Sequence, residues 1–317
     1  MPLHFRPFTP ADHPPTLEIN NLNWPDSPTT LERQLEAEAK RRADLVFEQH
    51  VVELDGRVVA YGTINHSEWM YHPQKFVVYL QVHPDFQNRG IGGRLYDLLL
   101  EKAAPHKPNR LISTVREDRP AATHFARKRG FVETLRSWEC VLEVQHFVFA
   151  PYASCQQKLQ AQGYRIVSMA ELGDTEAARR EMWRLEGELI RDVPLSEEET
   201  WPSFERYTEQ VFASKDYLPG AVFFALAPDG EFAGMSELWS KQPLPELSNG
   251  VTGVRRAHRR KGLALALKLQ GLEYARAHGI ERIRTVNESN NTAILSINER
   301  LGFVKQPALI DLAKDIP

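Results

Sequence analysis

The chain has 317 residues, 42% hydrophobic and 26% charged, which suits about two soluble domains of ~150 residues. This composition excludes collagen-like, disordered and disulfide-framework classes, and apolar runs such as Val222-Phe223-Phe224-Ala225-Leu226-Ala227 are too short to span a membrane. The net charge of −3 is spread evenly, with 18 Lys and Arg against 19 Asp and Glu in residues 1–145 and 21 against 23 in residues 146–317. Neither half has the basic excess of a nucleic-acid binder. Cys140 and Cys155 are too few for a framework and lack metal-ligand company, so reduced structural thiols and no metal are expected. The amino terminus shows no signal-peptide core or transit pattern, and a cytoplasmic protein with no membrane partner is the expectation.

A long repeat organises the elements. Gln87-Asn88-Arg89-Gly90-Ile91-Gly92 has its counterpart in Arg259-Arg260-Lys261-Gly262-Leu263-Ala264, and Lys128-Arg129-Gly130-Phe131 in Arg300-Leu301-Gly302-Phe303. Both pairs lie 172 residues apart, as do Gly62 and Gly234, each read as ending a strand-like run. A period this long means two whole domains. In chain order each copy opens with a helix, in the second copy about Asp174 to Arg191 with Met182, Leu185, Leu189 and Ile190 on one face. A second helix follows, opened in the second copy by Ser196 with Glu199 three residues on, a capping-box pattern. A hairpin turns at Asp55-Gly56 or Asp229-Gly230. The next strand is Phe76 to Val82 or Leu247 to Val254, and the glycine loop leads from it into a long helix. That helix shows Ile91, Leu95, Leu98 and Leu99 in the first copy and Leu265, Leu269 and Leu272 in the second. A strand ending near Thr114-Val115 or Thr285-Val286 and a last helix complete each copy.

Residues around Gln145 to Gly163 read as a packed connector, which gives domains at 1–145 and 164–317 joined by 146–163. The first copy keeps a strand-rich stretch, Val132 to Val144, after its Gly-Phe, while only 14 residues follow Phe303. The second copy therefore borrows a strand or ends with one fewer.

A strand running into Gln-x-x-Gly-x-Gly and then a helix has a physical use. Glycine lets the backbone turn sharply and lets a ligand approach it. The helix start offers unpaired N–H groups and a positive dipole end, which together suit phosphate. The loop lacks the Gly-Lys-Ser/Thr ending of a nucleotide P-loop and the three-glycine dinucleotide fingerprint.

The stretch Leu80-x-Val82-x-Pro84-x-x-Gln87-x-x-Gly90-x-Gly92, followed by Gly130-Phe131, resembles the acetyl-CoA-binding core of GNAT acetyltransferases. So does Val254-x-x-x-x-Arg259-x-x-Gly262-x-Ala264, followed by Asn287, Asn291 and Leu301-Gly302-Phe303. The second copy is also similar to the carboxyl half of tandem enzymes of the mycothiol synthase type. The resemblance implies an α/β protein of two tandem GNAT-like domains. Each would hold a mixed, mostly antiparallel sheet with helices on both faces and a splayed central parallel strand pair.

It further implies that loop amides of Asn88, Arg89, Gly90, Ile91, Gly92 and Gly93, or of Arg260, Lys261, Gly262, Leu263, Ala264 and Leu265, hold the pyrophosphate of acetyl-CoA. The strand before each loop, Leu80, Gln81 and Val82 or Thr252, Gly253 and Val254, would pair with the pantetheine arm. A bulge there would splay the parallel strands and aim a backbone amide at the thioester carbonyl. Asn291 would bind the cofactor from the last helix, whereas the first copy has Arg119-Pro120 in that region. The basic run Arg255, Arg256, Arg259, Arg260 and Lys261 is assigned to the cofactor phosphates, with nucleic-acid contact and a solvated helix start as the alternative readings.

In a ternary complex of this kind an amine attacks the thioester directly, so a base must take a proton from the ammonium. Glu237, on a central strand, is the candidate base of the second copy, with an outward-facing strand carboxylate as the competing reading. Tyr79, Gln81, His83 and Glu68 are the first copy's candidates, and none stands out. Where the family often has a tyrosine as general acid, this chain has Ala126 and Asn298. Alanine donates nothing, and an Asn amide donates a hydrogen bond but no useful proton. The first copy is therefore read as the degenerate half.

Asp192 with Trp201 and Phe204, and Trp24, Trp69 and Tyr71 in the first copy, are candidates for holding a cationic acceptor. The expected activity is acetyl transfer from acetyl-CoA to a small primary amine by a monomer or homodimer. Its rivals are a protein or peptide N-acetyltransferase and a non-catalytic acyl-CoA sensor.

Overall fold

The computed structural model describes residues 2–316. Its first part runs β1 (His4–Pro7), α1 (His13–Asn23), α2 (Leu31–Ala39), β2 (Phe47–Leu54), β3 (Arg57–Asn65), β4 (Lys75–Val82), α3 (Ile91–Ala103), β5 (Arg110–Arg116) and α4 (Pro120–Lys128). Strand alternation decides the layers. Val51 and Tyr61 join Ile19 of α1 in one cluster, whereas Val52 and Ala60 join Leu95 and Leu99 of α3 in another. Helices thus cover both faces. The β2–β3 hairpin turns at Asp55 and Gly56, with φ of 52° and 77°, as an Asp-Gly turn requires. β4 is antiparallel to β3 and parallel to β5, but the parallel register runs only from Lys75 opposite Arg110 to Val77 opposite Ile112.

The chain continues through β6 (Val132–Glu143), α5 (Cys155–Gln160), β7 (Arg165–Ser168), α6 (Glu176–Leu189), α7 (Phe204–Tyr207), β8 (Val222–Leu226), β9 (Phe232–Ser240) and β10 (Glu246–Val254). It ends with α8 (Leu263–Ala277), β11 (Arg282–Glu288), α9 (Thr292–Leu301), β12 (Val304–Lys305) and β13 (Leu309–Asp315). The strand order here is β6-β11-β10-β9-β8-β7, with β12 on the other edge of β6. β10 and β11 are parallel from Glu246 opposite Arg282 to Asn249 opposite Thr285, and every other pair is antiparallel. A Cβ on Gly253 would lie 2.9 Å from Leu189 of α6, while Val254 packs with Leu263, Ala266 and Leu267 of α8. Helices again cover both faces. Among the described residues no helix is long and apolar enough to cross a membrane.

The chain divides into two compact units, and the division is not linear. The first unit holds the residues up to Thr134, together with Ser196–Thr200 and the stretch from Ile310; the second holds Leu135–Leu195 and Trp201–Leu309. These compact units divide at other places than the expected domain bounds at 145 and 164. The second copy does borrow a strand: β6 lies antiparallel to β11, with Cys140 opposite Thr285, because Cys140, Leu142 and Val144 complete the core around Leu247 and Ile283. Conversely β13 lies beside β5, and its Ile310 and Leu312 are buried in the first unit's core.

Two further expectations are revised. No helix starts at Ser196, whose hydroxyl donates to Asp311 at 3.1 Å. Glu197 accepts from Lys75 at 3.2 Å and Arg110 at 2.8 Å, so the segment is a strap on the first unit, and the helix starts later at the Ser203 cap. Gly62 and Gly234 lie inside β3 and β9 rather than at strand ends.

Leu312→Ala is expected to destabilise the first unit by about 2–4 kcal/mol, the usual cost of truncating a buried leucine. Urea denaturation checks this; a loss below about 0.5 kcal/mol, typical of a surface tail, would contradict the strand's placement.

Candidate active site

The two glycine loops share one backbone. Asn88 and Arg260 have φ of 60° and 64°, and Gly90 and Gly262 have φ of 77° and 88°, all in the left-handed region. Gln87 Nε2 donates to the Val82 carbonyl at 3.1 Å, and Arg259 Nε donates to the Val254 carbonyl at 2.9 Å. The first side chain of each motif thus ties its loop back to the end of the preceding strand. A Cβ on Gly90 or Gly262 would meet nothing within 4 Å, so these glycines serve the turn and leave space above the helix start. The helical ladders begin with Arg94 N–H to Gly90 at 3.3 Å and Ala266 N–H to Gly262 at 3.1 Å. The amides of Ile91, Gly92 and Gly93, and of Leu263, Ala264 and Leu265, stand outside those ladders, in the arrangement that suits an anion.

Most of the basic run in the second copy is already neutralised. Asp192 accepts from Arg256 at 2.5 Å and also from Arg259, and these partners hold its carboxyl down at about 2. Asp192 is thus a partner of the loop arginines rather than an open site for an ammonium. Arg255 pairs with Glu188 at 2.9 Å and Glu231 at 2.7 Å. Lys261 donates to the Tyr164 hydroxyl at 2.7 Å, and Arg260 is exposed. Thr252, Gly253 and Val254 form the strand end beside the loop, and Asn291 stands at the N-cap position of α9 without a side-chain capping bond, its amide donating to Glu288 at 3.5 Å.

Glu237 lies at the centre of β9, 3% exposed. Opposite it β10 carries a bulge: Asn249 faces Leu238, Thr252 faces Ser236, and one extra residue is accommodated at Gly250-Val251. The Val251 N–H, freed from the ladder, donates to Glu237 Oε1 at 3.0 Å, while Oε2 is buried without a hydrogen-bond partner. Burial raises the carboxyl to about 7, opposed by the hydrogen bonds from Val251 and Trp239. Gly250 is required by space, since a Cβ there would fall 2.3 Å from Glu237 Oε1. The reading of Glu237 as an outward-facing carboxylate is excluded.

Tyr207 and Tyr217 stand near Glu237, both raised mainly by burial. Tyr207 donates to Glu186, Tyr217 donates to Asp174 at 3.0 Å, and Trp201 packs at 5.6 Å from the Tyr207 ring. On the far side of the bulge, the Asn249 amide donates to the Glu237 carbonyl at 2.8 Å, and its oxygen accepts from Lys268 of α8. Asn298 is 1% exposed, and its Nδ2 donates to Asn287 at 2.6 Å while Oδ1 has no partner. It is packed between α9 and β11.

The first unit differs at the matching places. The β3–β4 register runs unbroken from Asn65 opposite Val77 to Ala60 opposite Val82, so Leu80, Gln81 and Val82 lie on a strand with no bulge. At the 172-residue offset Asn65 stands in place of Glu237, and its amide donates to the His66 carbonyl at 2.9 Å. Tyr79 donates to Asn20 at 3.1 Å and accepts from Gln81 at 2.8 Å. The loop side chain Arg89 turns back to the Asp85 carbonyl at 2.8 Å.

Two splayed parallel pairs, each leading through a glycine loop to a helix, define the class of fold. The acetyltransferase (GNAT) family model matches residues 14–131 and 188–303, so the chain belongs to that family and is an acetyl-transferring enzyme with tandem domains. It is similar to the mycothiol acetyltransferase of Amycolatopsis mediterranei (strain U-32), at 29% identity over 274 residues covering 81% of each chain. The mycothiol acetyltransferase of Thermobispora bispora is 28% identical over 236 residues, covering 71% of this chain and 72% of that one. Among solved structures, a tandem GNAT protein from the clavulanic acid biosynthesis pathway shares the fold with a TM-score of 0.78 at 20% identity, covering 99% of this chain and 98% of that one. A GCN5-related N-acetyltransferase from Sphaerobacter thermophilus shares it at 0.72 and 18% identity, covering 99% and 95%.

The buried carboxyl makes a prediction about stability. Because Glu237 moves from 4.5 unfolded to about 7 folded, the folded state holds the extra proton between those values and stability falls as pH rises through them. Glu237→Gln keeps an acceptor for Val251 and removes the titration. Relative to wild type it is expected to gain on the order of 3 kcal/mol between about pH 4 and pH 8, read by urea denaturation; a difference independent of pH would contradict the buried placement.

Proposed function

We propose that the second unit transfers acetyl from acetyl-CoA to the primary amine of a small molecule, with Glu237 as general base. The observation that carries this reading is the buried Glu237 carboxyl at the β10 bulge, one oxygen held by the Val251 amide and the other without a partner. A base with an ionisation near neutrality is matched to removing a proton from an ammonium at physiological pH.

The residues present fit the co-substrate. Gly262 leaves open space above the amides of Leu263, Ala264 and Leu265, which would hold the pyrophosphate beside exposed Arg260. Thr252, Gly253 and Val254 would run along the pantetheine arm where β10 and β11 are no longer paired. When bound, acetyl-CoA supplies the thioester that the amine attacks, and CoA thiol leaves. Glu237 Oε2 takes the ammonium proton, and the Val251 N–H stabilises the carboxylate before that transfer. Tyr207, Tyr217, Trp201 and Glu186 provide an aromatic and acidic wall, suited to a cationic acceptor. Asn298 supplies no proton, so solvent protonates the departing thiolate.

A small acceptor is favoured over a protein because relatives over four-fifths of the chain are named for mycothiol. The first unit is read as non-catalytic, since it has Asn65 and Ala126 at the places of base and acid and no bulge in β4.

Steady-state CoA release with a panel of small amines tests the reading. Glu237→Gln is expected to lower kcat by about 10²–10⁴, and the wild-type rate should rise with pH through about 7 as Glu237 ionises. Gly90→Asp should leave kcat within about twofold, a difference below ~0.5 kcal/mol. A fully active Glu237→Gln variant would overturn the assignment.

A further inference from the structure

A single lysine interrupts the apolar helix Leu263-Ala264-Leu265-Ala266-Leu267-Lys268-Leu269. Lys268 is 5% exposed, and its ammonium lies 5.3 Å from the Phe303 ring and donates to Asn249 Oδ1. Burying an ammonium against an amide oxygen rather than a carboxylate costs several kcal/mol and lowers the lysine's pKa, so Lys268 is a poor device for stability.

The geometry around Asn249 shows what the lysine does. An ammonium can be met only by the amide oxygen, which forces the NH2 group of Asn249 to the opposite side. There it donates to the Glu237 carbonyl at 2.8 Å and lies 3.2 Å from Thr252 Oγ1, so it touches β9 and the far end of the bulge together. A bulge leaves backbone groups out of the ladder, and this side-chain amide replaces the missing partner.

The other half of the chain provides an internal comparison. At the 172-residue offset Tyr96 replaces Lys268, and the apolar Val77 and Val78 stand at the asparagine's place. There the strand pairing has no register shift. The same fold builds the strand straight where the pair is missing.

We propose that Lys268 and Asn249 are positioning residues: joined in the core, they hold the β10 bulge and thereby keep the Val251 N–H on Glu237. This rests on the reading that the second unit carries the reaction. The titratable neighbours are Cys140 of β6 for Lys268, and Tyr207 and Tyr217 for Glu237.

The test uses the full chain carrying Lys268→Met, Asn249→Leu or both, with amide hydrogen exchange at Gly250–Thr252 read beside kinetics. Methionine matches the lysine's length and suits the apolar surroundings. In each variant the Val251 amide is expected to exchange at least tenfold faster and kcat to fall at least tenfold. The acid limb of kcat should move to higher pH, because Glu237 loses a hydrogen bond that favours its charged form. The acetyl-CoA Kd should stay within about threefold, since the Gly262 loop is untouched, and the double variant should be no worse than the weaker single one. A Val251 amide that stays protected in either folded variant, whatever the rate, overturns the proposal. Faster exchange in the variants, with Glu237→Gln still fully active, would uphold the support of the bulge and sink the catalytic reading instead. Should Lys268→Met fail to fold, Asn249→Asp keeps an acceptor for the lysine, removes the donors to Glu237, and is expected to show the same faster exchange.

Discussion

One hydrogen bond, from the Val251 amide to the buried Glu237 carboxylate, organises the second unit's site. A carboxyl without solvent would ordinarily stay protonated, and the Val251 amide, helped by Trp239, brings it only part of the way back toward its usual value. Moving that amide out of the ladder requires a bulge, and the bulge in turn requires Gly250, because no side chain fits beside Glu237 Oε1. The same extra residue sits where β10 and β11 cease to pair, so the buried carboxyl's backbone donor and the strand opening arise from one local irregularity.

The duplication separates the features that the two copies share from those found in one of them. Both loops retain left-handed residues at matching positions and the back-bond from Gln87 or Arg259 to the strand's last carbonyl. These features depend on backbone and one polar side chain, and they survive in both copies. The bulge, the carboxylate and the buried Lys268–Asn249 contact occur in the second unit, whereas the first fills the corresponding region with Tyr79, Gln81 and Asn20.

Much of this was legible in the sequence. The loop motif, the Gly-Phe landmarks and the helix after each loop depend on local chemistry, and the repeat made them stronger than either copy alone. Glu237 was a candidate because Met235-Ser236-Glu237-Leu238-Trp239 reads as a central strand, with an outward-facing carboxylate as the competing reading. What was hidden depends on long-range pairing. Ser196 and Glu199 mimic a helix cap, but Glu197 is drawn to Lys75 and Arg110, more than 80 residues away in sequence. Asp192 looked available for an amine until Arg256 and Arg259 closed on it. Asn249-Gly250 read as an ordinary weak strand, and only Lys268 in its leucine-rich helix offered a signal for the polar contact beneath the bulge. That the second copy borrows a strand or ends with one fewer could be read from the tail length, but the placement of β13 in the first unit could not.

We place acetyl transfer in the second unit, whose Gly262 loop would hold the acetyl-CoA that reacts. The measurement to make is CoA release by the intact chain with acetyl-CoA and an amine acceptor, in wild type and in Gly90→Asp and Gly262→Asp variants. Activity should persist in Gly90→Asp and be lost in Gly262→Asp. Activity that survives in Gly262→Asp and disappears in Gly90→Asp would put the reaction in the first unit instead.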